Sequence, residues 1–153
     1  MDWQIFEGEL NFDDVRILLS QHFAEMRAGS PPEACHVLPI DGLKVPAIRF
    51  FTLRENGVLL GCGALKRLEP GQGEVKSMRT ANSALGRGVG NAVLDHIVMA
   101  ARGEGIDRLS LETGSTEQFA AANRLYEREG FTRCGPFGDY ADTPWTRFFT
   151  KEI

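Results

Sequence analysis

The chain predicts an α/β sandwich: a central mixed, mostly antiparallel sheet flanked by helices. Three observations lead there. Segments of period two and segments of helical period alternate as strand, helix, three strands, helix, strand, helix, two strands. The three middle strands are joined by the tight-turn stretches "ENG" (55–57) and "EPGQG" (69–73), which favour antiparallel neighbours. Finally, Gly86, Gly88 and Gly90 open an apolar periodic segment, so a strand passes through a bare-backbone turn into a helix.

Each element has its own signal. Residues 3–10 alternate and read as a first strand. Asn11 then caps a helix whose Val15, Leu18, Leu19, Phe23 and Met26 form one stripe, stopped by "GSPPE". Residues 30–45 hold three of the seven prolines without a clear period and read as a surface loop. "PAIRFFTLR", "VLLGCGALKRL" and "EVKSMRT" form the meander. The helix after the glycines presents Val89, Val93, Ile97 and Ala100 on one side, and "DRLSLET" reads as a buried strand. Ser115 and Gln118 suit a capping box for a helix over 116–129, with Phe119, Ala122 and Tyr126 sharing a side and Gly130 as its stop. "FTRCG" and "WTRFFTKEI" read as closing strands.

Length and composition bound the function. One domain over 1–153 is expected, long enough to fold around a core without disulfides or metal. A net charge of -4, with 42% hydrophobic and 25% charged residues, argues against a nucleic-acid binder and against disorder. Cys35, Cys62 and Cys134 are scattered, as a reducing cytoplasm permits. The start "MDWQIFEGEL" lacks a basic head and apolar stretch, so neither signal peptide nor membrane partner is expected. No spacing among His22, His36, His96 and the cysteines suits a metal ion.

The glycine turn is the most informative stretch. Unpaired NH groups at a helix start carry partial positive charge, and glycines let an anion approach them closely; Arg87 adds a cationic fork. A nucleotide-triphosphate loop would need Lys-Ser or Lys-Thr after the last glycine, where Asn91 and Ala92 stand. A dinucleotide fingerprint would need a glycine where Asn91 or Val93 stands. A turn whose glycines serve only backbone geometry is the plain alternative.

With "LGRGVG" (85–90) and "NRLYEREGF" (123–131) the chain resembles the GCN5-related N-acetyltransferases (GNAT), closest to small bacterial members of unassigned substrate. Their signature (Gln/Arg)-x-x-Gly-x-(Gly/Ala) is met at Gly88 and Gly90, with Leu85 in place of the polar first residue. Leu125, Tyr126, Gly130 and Phe131 match the later Leu-Tyr and Gly-Phe pattern, while Phe119 stands where the family often has a cofactor-contacting Asn. The resemblance implies the acyl-CoA N-acyltransferase fold and acetyl-CoA as cosubstrate. It implies a pyrophosphate against the NH groups of Arg87, Gly88, Val89, Gly90 and Asn91, with Gly86 in the same turn, and a pantetheine arm on the backbones of Met78, Arg79 and Thr80.

Transfer to an amine needs a base and an acid. The resemblance implies Tyr126 as the acid that protonates the departing thiolate. Glu74 resembles the family's base; strand alternation sets it on the same face as Met78, and Glu112 is the reserve. A solvated turn acid for Glu74 and a packing aromatic for Tyr126 are the plainer readings. His22 and His96 read as solvated or core-edge residues, His36 as a candidate lining of the acceptor pocket, and Asp139, Tyr140 and Asp142 as candidates for its border. The expected reaction is direct attack by a small-molecule amine. A protein lysine or N-terminal acceptor and a non-catalytic CoA-binding regulatory module are the alternatives, and the resemblance admits a homodimer.

Overall fold

The computed structural model describes residues 2–32 and 35–153. In chain order they form β1 (Trp3–Glu7), α1 (Asp13–Ala28), α2 (Ile40–Leu43), β2 (Ile48–Glu55), β3 (Val58–Arg67), β4 (Gln72–Thr80), α3 (Val89–Gly103), β5 (Arg108–Gly114), α4 (Ala120–Arg128), β6 (Thr132–Cys134) and β7 (Thr146–Glu152). The seven strands make one sheet of order β1-β2-β3-β4-β5-β7-β6, antiparallel at every join except β4 with β5. This is the expected element order, with one added helical turn, α2, inside the stretch read as a loop.

Both faces of the sheet are covered, so β2 is buried along nearly its whole length rather than at alternate residues. Phe50 and Phe51 divide between the faces. Phe51 joins Leu53, Leu65, Val75, Leu109, Leu111 and Phe149 under α3 and α4, whereas Phe50 joins Cys62 and Ala64 under Val15, Leu18 and Leu19 of α1. The hairpin between β2 and β3 turns on Asn56 (φ 49°) and Gly57 (φ 82°), the left-handed pair that matches strand twist. On α3 the residues Val89, Val93, Leu94, Ile97, Val98 and Ala101 are buried. At roughly 1.5–3 kcal/mol for each large apolar side chain, this face anchors the helix that carries the glycine turn.

Two departures from regular pairing shape the site. The parallel join is short: only Gln72, Gly73 and Glu74 pair with Arg108, Leu109 and Ser110, after which β4 runs on to Thr80 and β5 to Gly114 without each other. From Val75 onward one edge of β4 therefore has no strand partner. In addition, β4 carries a bulge opposite β3, where Cys62 faces Arg79 but Ala64 faces Lys76, with Ser77 at φ 54°. An extra residue reverses the side-chain parity of a strand.

That bulge corrects the expected alternation. Val75 and Met78 both pack toward α3, while Lys76 and Arg79 stand opposite Ala64 and Cys62 on the α1 face. Glu74 shares the α1 face with Lys76, so it is not on the face of Met78. Two capping expectations also fail. Helix α1 starts at Asp13 without a side-chain cap, because Asn11 Oδ1 accepts from Lys44 Nζ at 2.9 Å. Ser115 Oγ donates instead to the Pro144 carbonyl at 2.6 Å and Gln118 Nε2 to the Glu25 carbonyl, so α4 begins at Ala120 after a 3-10 turn over Glu117–Phe119. Among the described residues, no helix is long and apolar enough to cross a membrane.

Candidate active site

A cleft of about 590 Å³ opens where β4 and β5 part. Its lining joins the expected cofactor positions Met78, Arg79, Thr80, Gly86, Gly88, Val89, Gly90 and Asn91 to Glu74, Glu112 and Tyr126. It also takes in His22 and Glu25 of α1 and residues 35–38 of the following loop.

The glycine end is made of backbone. Gly86 and Gly88 have φ of 78° and 87°, and Gly88 in the left-handed region turns the chain into α3. Among the described residues, no backbone carbonyl accepts from the NH groups of residues 85–91; the first to find one is Ala92, bonded to the Gly88 carbonyl at 3.1 Å. A Cβ built on Gly86 or Gly88 meets no atom within 4 Å, so the space beside these two glycines is open, whereas one on Gly90 would meet Leu125 Cδ2 at 3.2 Å. A row of free donors beneath open space, at the positive end of a helix 15 residues long, fits a diphosphate. The Arg87 side chain does not contribute a free fork there. Its Nη2 donates to Glu55 at 2.9 and 3.0 Å and its guanidinium lies over the Trp3 ring, which leaves the Arg87 NH as its offering to the turn.

Side chains build the opposite end. The Tyr140 hydroxyl donates to Glu74 Oε2 at 2.6 Å, and Lys76 Nζ donates to that same oxygen at 3.1 Å and to the Tyr140 oxygen at 2.8 Å. Glu74 is buried, so the ammonium compensates a carboxylate with little access to water. Across the parting, His36 Nδ1 lies 2.7 and 2.9 Å from the two oxygens of Glu112. Burial pushes the Glu112 carboxyl up, with His36 opposing that shift. The His36 ring also packs on Tyr140, centroids 4.9 Å apart. Deeper in, Arg79 pairs with Glu25, and beside them burial and the Arg79 charge bring buried His22 down to about 4.

Tyr126 is buried against Phe131 and Phe149, and no described group hydrogen-bonds its hydroxyl. Burial pushes its phenol up, so the ring keeps its proton at neutral pH. On the same helix Asn123 donates from Nδ2 to the carbonyls of Gly114 and Phe119, tying the start of α4 to the end of β5.

Sequence reasoning named Glu74, Glu112, His36 and Tyr140 separately but missed their pairing, and it missed Lys76. Period two would have found Lys76 beside Glu74. Nothing local joins residues 36 and 112. Of the border residues, Tyr140 reaches the cluster, whereas Asp139 and Asp142 are exposed and line no part of the cleft. His22 is buried rather than solvated, and His96 packs edge-on to Phe51 at 4.8 Å.

Comparison with known proteins agrees with this architecture. The profile of the Acetyltransferase (GNAT) family matches residues 14–131. The chain is 46% identical over 145 residues to the uncharacterized N-acetyltransferase YsnE of Bacillus subtilis (strain 168), covering 95% of this chain and 96% of that one. It is 42% identical over 145 residues to the uncharacterized N-acetyltransferase YedL of Escherichia coli (strain K12), covering 95% and 91%. Among solved structures, a GNAT family acetyltransferase from Elizabethkingia anophelis with acetyl-CoA bound superposes with a TM-score of 0.72 at 16% identity, covering 99% of both chains. An open row of helix-start donors, a parted strand pair and this match over most of the length lead to one conclusion: the chain belongs to the GNAT acetyltransferase family and is an acetyl-CoA-dependent N-acyltransferase.

Proposed function

We propose that residues 1–153 form one N-acetyltransferase domain that moves an acetyl group from acetyl-CoA to a small-molecule amine by direct attack. The single observation that carries this reading is the continuity of one cleft, with free NH groups over 85–91 at one end and Lys76, Glu74, His36 and Glu112 at the other, where Tyr140 bonds to Lys76 and Glu74. The bound thioester supplies the activated acyl group. The NH groups from Gly86 to Asn91 hold its diphosphate, and the unpaired edge of Met78, Arg79 and Thr80 aligns the arm that follows. The amine proton leaves to a base in the paired cluster at the parting, where the expected base Glu74 and its reserve Glu112 both stand. Tyr126, protonated and without an internal hydrogen-bond partner among the described residues, donates to the sulfur as the C–S bond breaks.

A small acceptor is favoured because Glu74 pairs with Lys76 and Glu25 with Arg79 inside the cleft rather than lying along an open acidic face. Titration calorimetry with acetyl-CoA followed by an amine panel monitored through free thiol tests the reading. Saturable heat and acetyl-dependent thiol release with at least one amine are expected. Absence of heat at millimolar acetyl-CoA would end it.

A further inference from the structure

The two carboxylates at the parting of β4 and β5 are not equivalent. Glu74 Oε2 already accepts from an ammonium and from a phenol, and Glu74 is 3% exposed. Glu112 turns both oxygens to one imidazole nitrogen. An ionised carboxylate only accepts, and against one Nδ1 is the donor, which in the neutral ring leaves Nε2 its lone pair. The His36 side chain is 30% exposed, lines the cleft, and has no other partner for its ring nitrogens among the described residues.

We infer that His36, oriented by Glu112, is the group that takes the proton from the attacking amine, and that Glu74 is a positioning residue that fixes Lys76 and Tyr140 around it. This rests on the acetyl-transfer reading above and deepens it. As the N–C bond forms, the amine proton passes to His36 Nε2; as the C–S bond breaks, the Tyr126 hydroxyl gives its proton to sulfur. Solvent then returns a proton from His36 to Tyr126, so the cycle closes without another reactant. The imidazolium that forms lies against the Glu112 carboxylate. The groups facing His36 are Glu112 from β5 and the Tyr140 ring from the loop before β7, with Lys76 and Glu74 of β4 behind that ring. Through Nδ1 the Glu112 carboxylate fixes the orientation of the ring and lies against the charge that forms on it.

The test has a spectroscopic and a kinetic arm. Nitrogen-15 NMR of the full chain, with the His36 signals identified by their loss in His36→Gln, is expected to show the Nδ1–H tautomer in the wild type and its loss in Glu112→Gln. An Nε2–H tautomer in the wild type would mean that Glu112 donates to the ring, and it overturns the inference by itself. With the best amine of the panel, His36→Gln and His36→Asn are expected to lower kcat/KM roughly 100-fold and remove the acidic limb of its pH profile. Their acetyl-CoA Kd stays within about twofold of the wild type, a check that the fold is intact. Glu112→Gln should lower kcat/KM about tenfold by releasing the ring, whereas Glu74→Gln should keep the limb. If His36→Gln stays within about threefold of the wild type, or if the limb disappears in Glu74→Gln instead, the assignment to His36 is wrong while acetyl transfer stands. Binding of acetyl-CoA without turnover of any amine overturns both.

Discussion

The two ends of the cleft solve recognition with different materials. At the glycine end the donors are backbone NH groups over consecutive residues 85–91, local in sequence and uncharged as chemical groups. At the other end the polar groups are side chains brought from residues 22–25, 36, 74–79, 112 and 140, joined as ion pairs and hydrogen bonds. A backbone cradle depends on one turn's geometry and is indifferent to pH. A side-chain cluster depends on the whole sheet and responds to protonation. Four substitutions sharpen that contrast.

The largest effect is expected at the cradle. Gly88→Val puts a β-branched side chain at φ 87° and over the free NH groups, so acetyl-CoA affinity by calorimetry should fall about a thousandfold, near 4 kcal/mol. Retention of micromolar binding would mean that the turn is only a structural bend.

The next concerns the pH response. His22 is held near 4 in the fold against 6.5 when unfolded, and its depressed value means that the unfolded chain binds the proton first. Its contribution to stability is complete above about pH 6.5 and is lost as pH falls toward 4, on the order of 3 kcal/mol at the bottom of that window. Urea midpoints for His22→Leu should vary less across that range than those of the wild type. An unchanged slope would show that another group controls acid sensitivity.

Tyr126→Phe keeps the ring that packs on Phe131 and Phe149 and removes only the hydroxyl. Thiol release with the best amine should slow about 30-fold with acetyl-CoA affinity unchanged, because proton donation to the leaving sulfur is lost. The smallest effect is expected for Arg87→Ala, whose guanidinium is committed to Glu55 and Trp3. Less than about threefold loss of acetyl-CoA affinity fits a grip made by backbone; a loss near a hundredfold would hand the grip to the side chain.

The same contrast explains what was legible beforehand. Element order and the ENG hairpin follow from local periodicity and turn chemistry, and they were read correctly. The glycine turn was legible because every residue it needs lies within one stretch. The errors have specific causes. The face of Glu74 was misread because an extra residue at Ser77 breaks the two-residue period, and a strand sequence carries no mark of a bulge. Ser115 and Gln118 fit a capping box by spacing, yet the Pro144 and Glu25 carbonyls bind them first. The partner of the Arg87 guanidinium, Glu55, stands 32 residues away, so no local stretch announces that pairing.

By itself the sequence determined the family, the order of the elements and the bare turn at the head of α3, since each rests on interactions within a few residues along the chain. Only the tertiary structure decided which charges meet: Lys76 with Glu74 and Tyr140, His36 with Glu112, Arg79 with Glu25. Those contacts span up to 76 residues and turn on where β4 leaves β5 and where it bulges against β3. Strand register and burial are collective properties of the packed sheet, and they set both the partner and the protonation of each group.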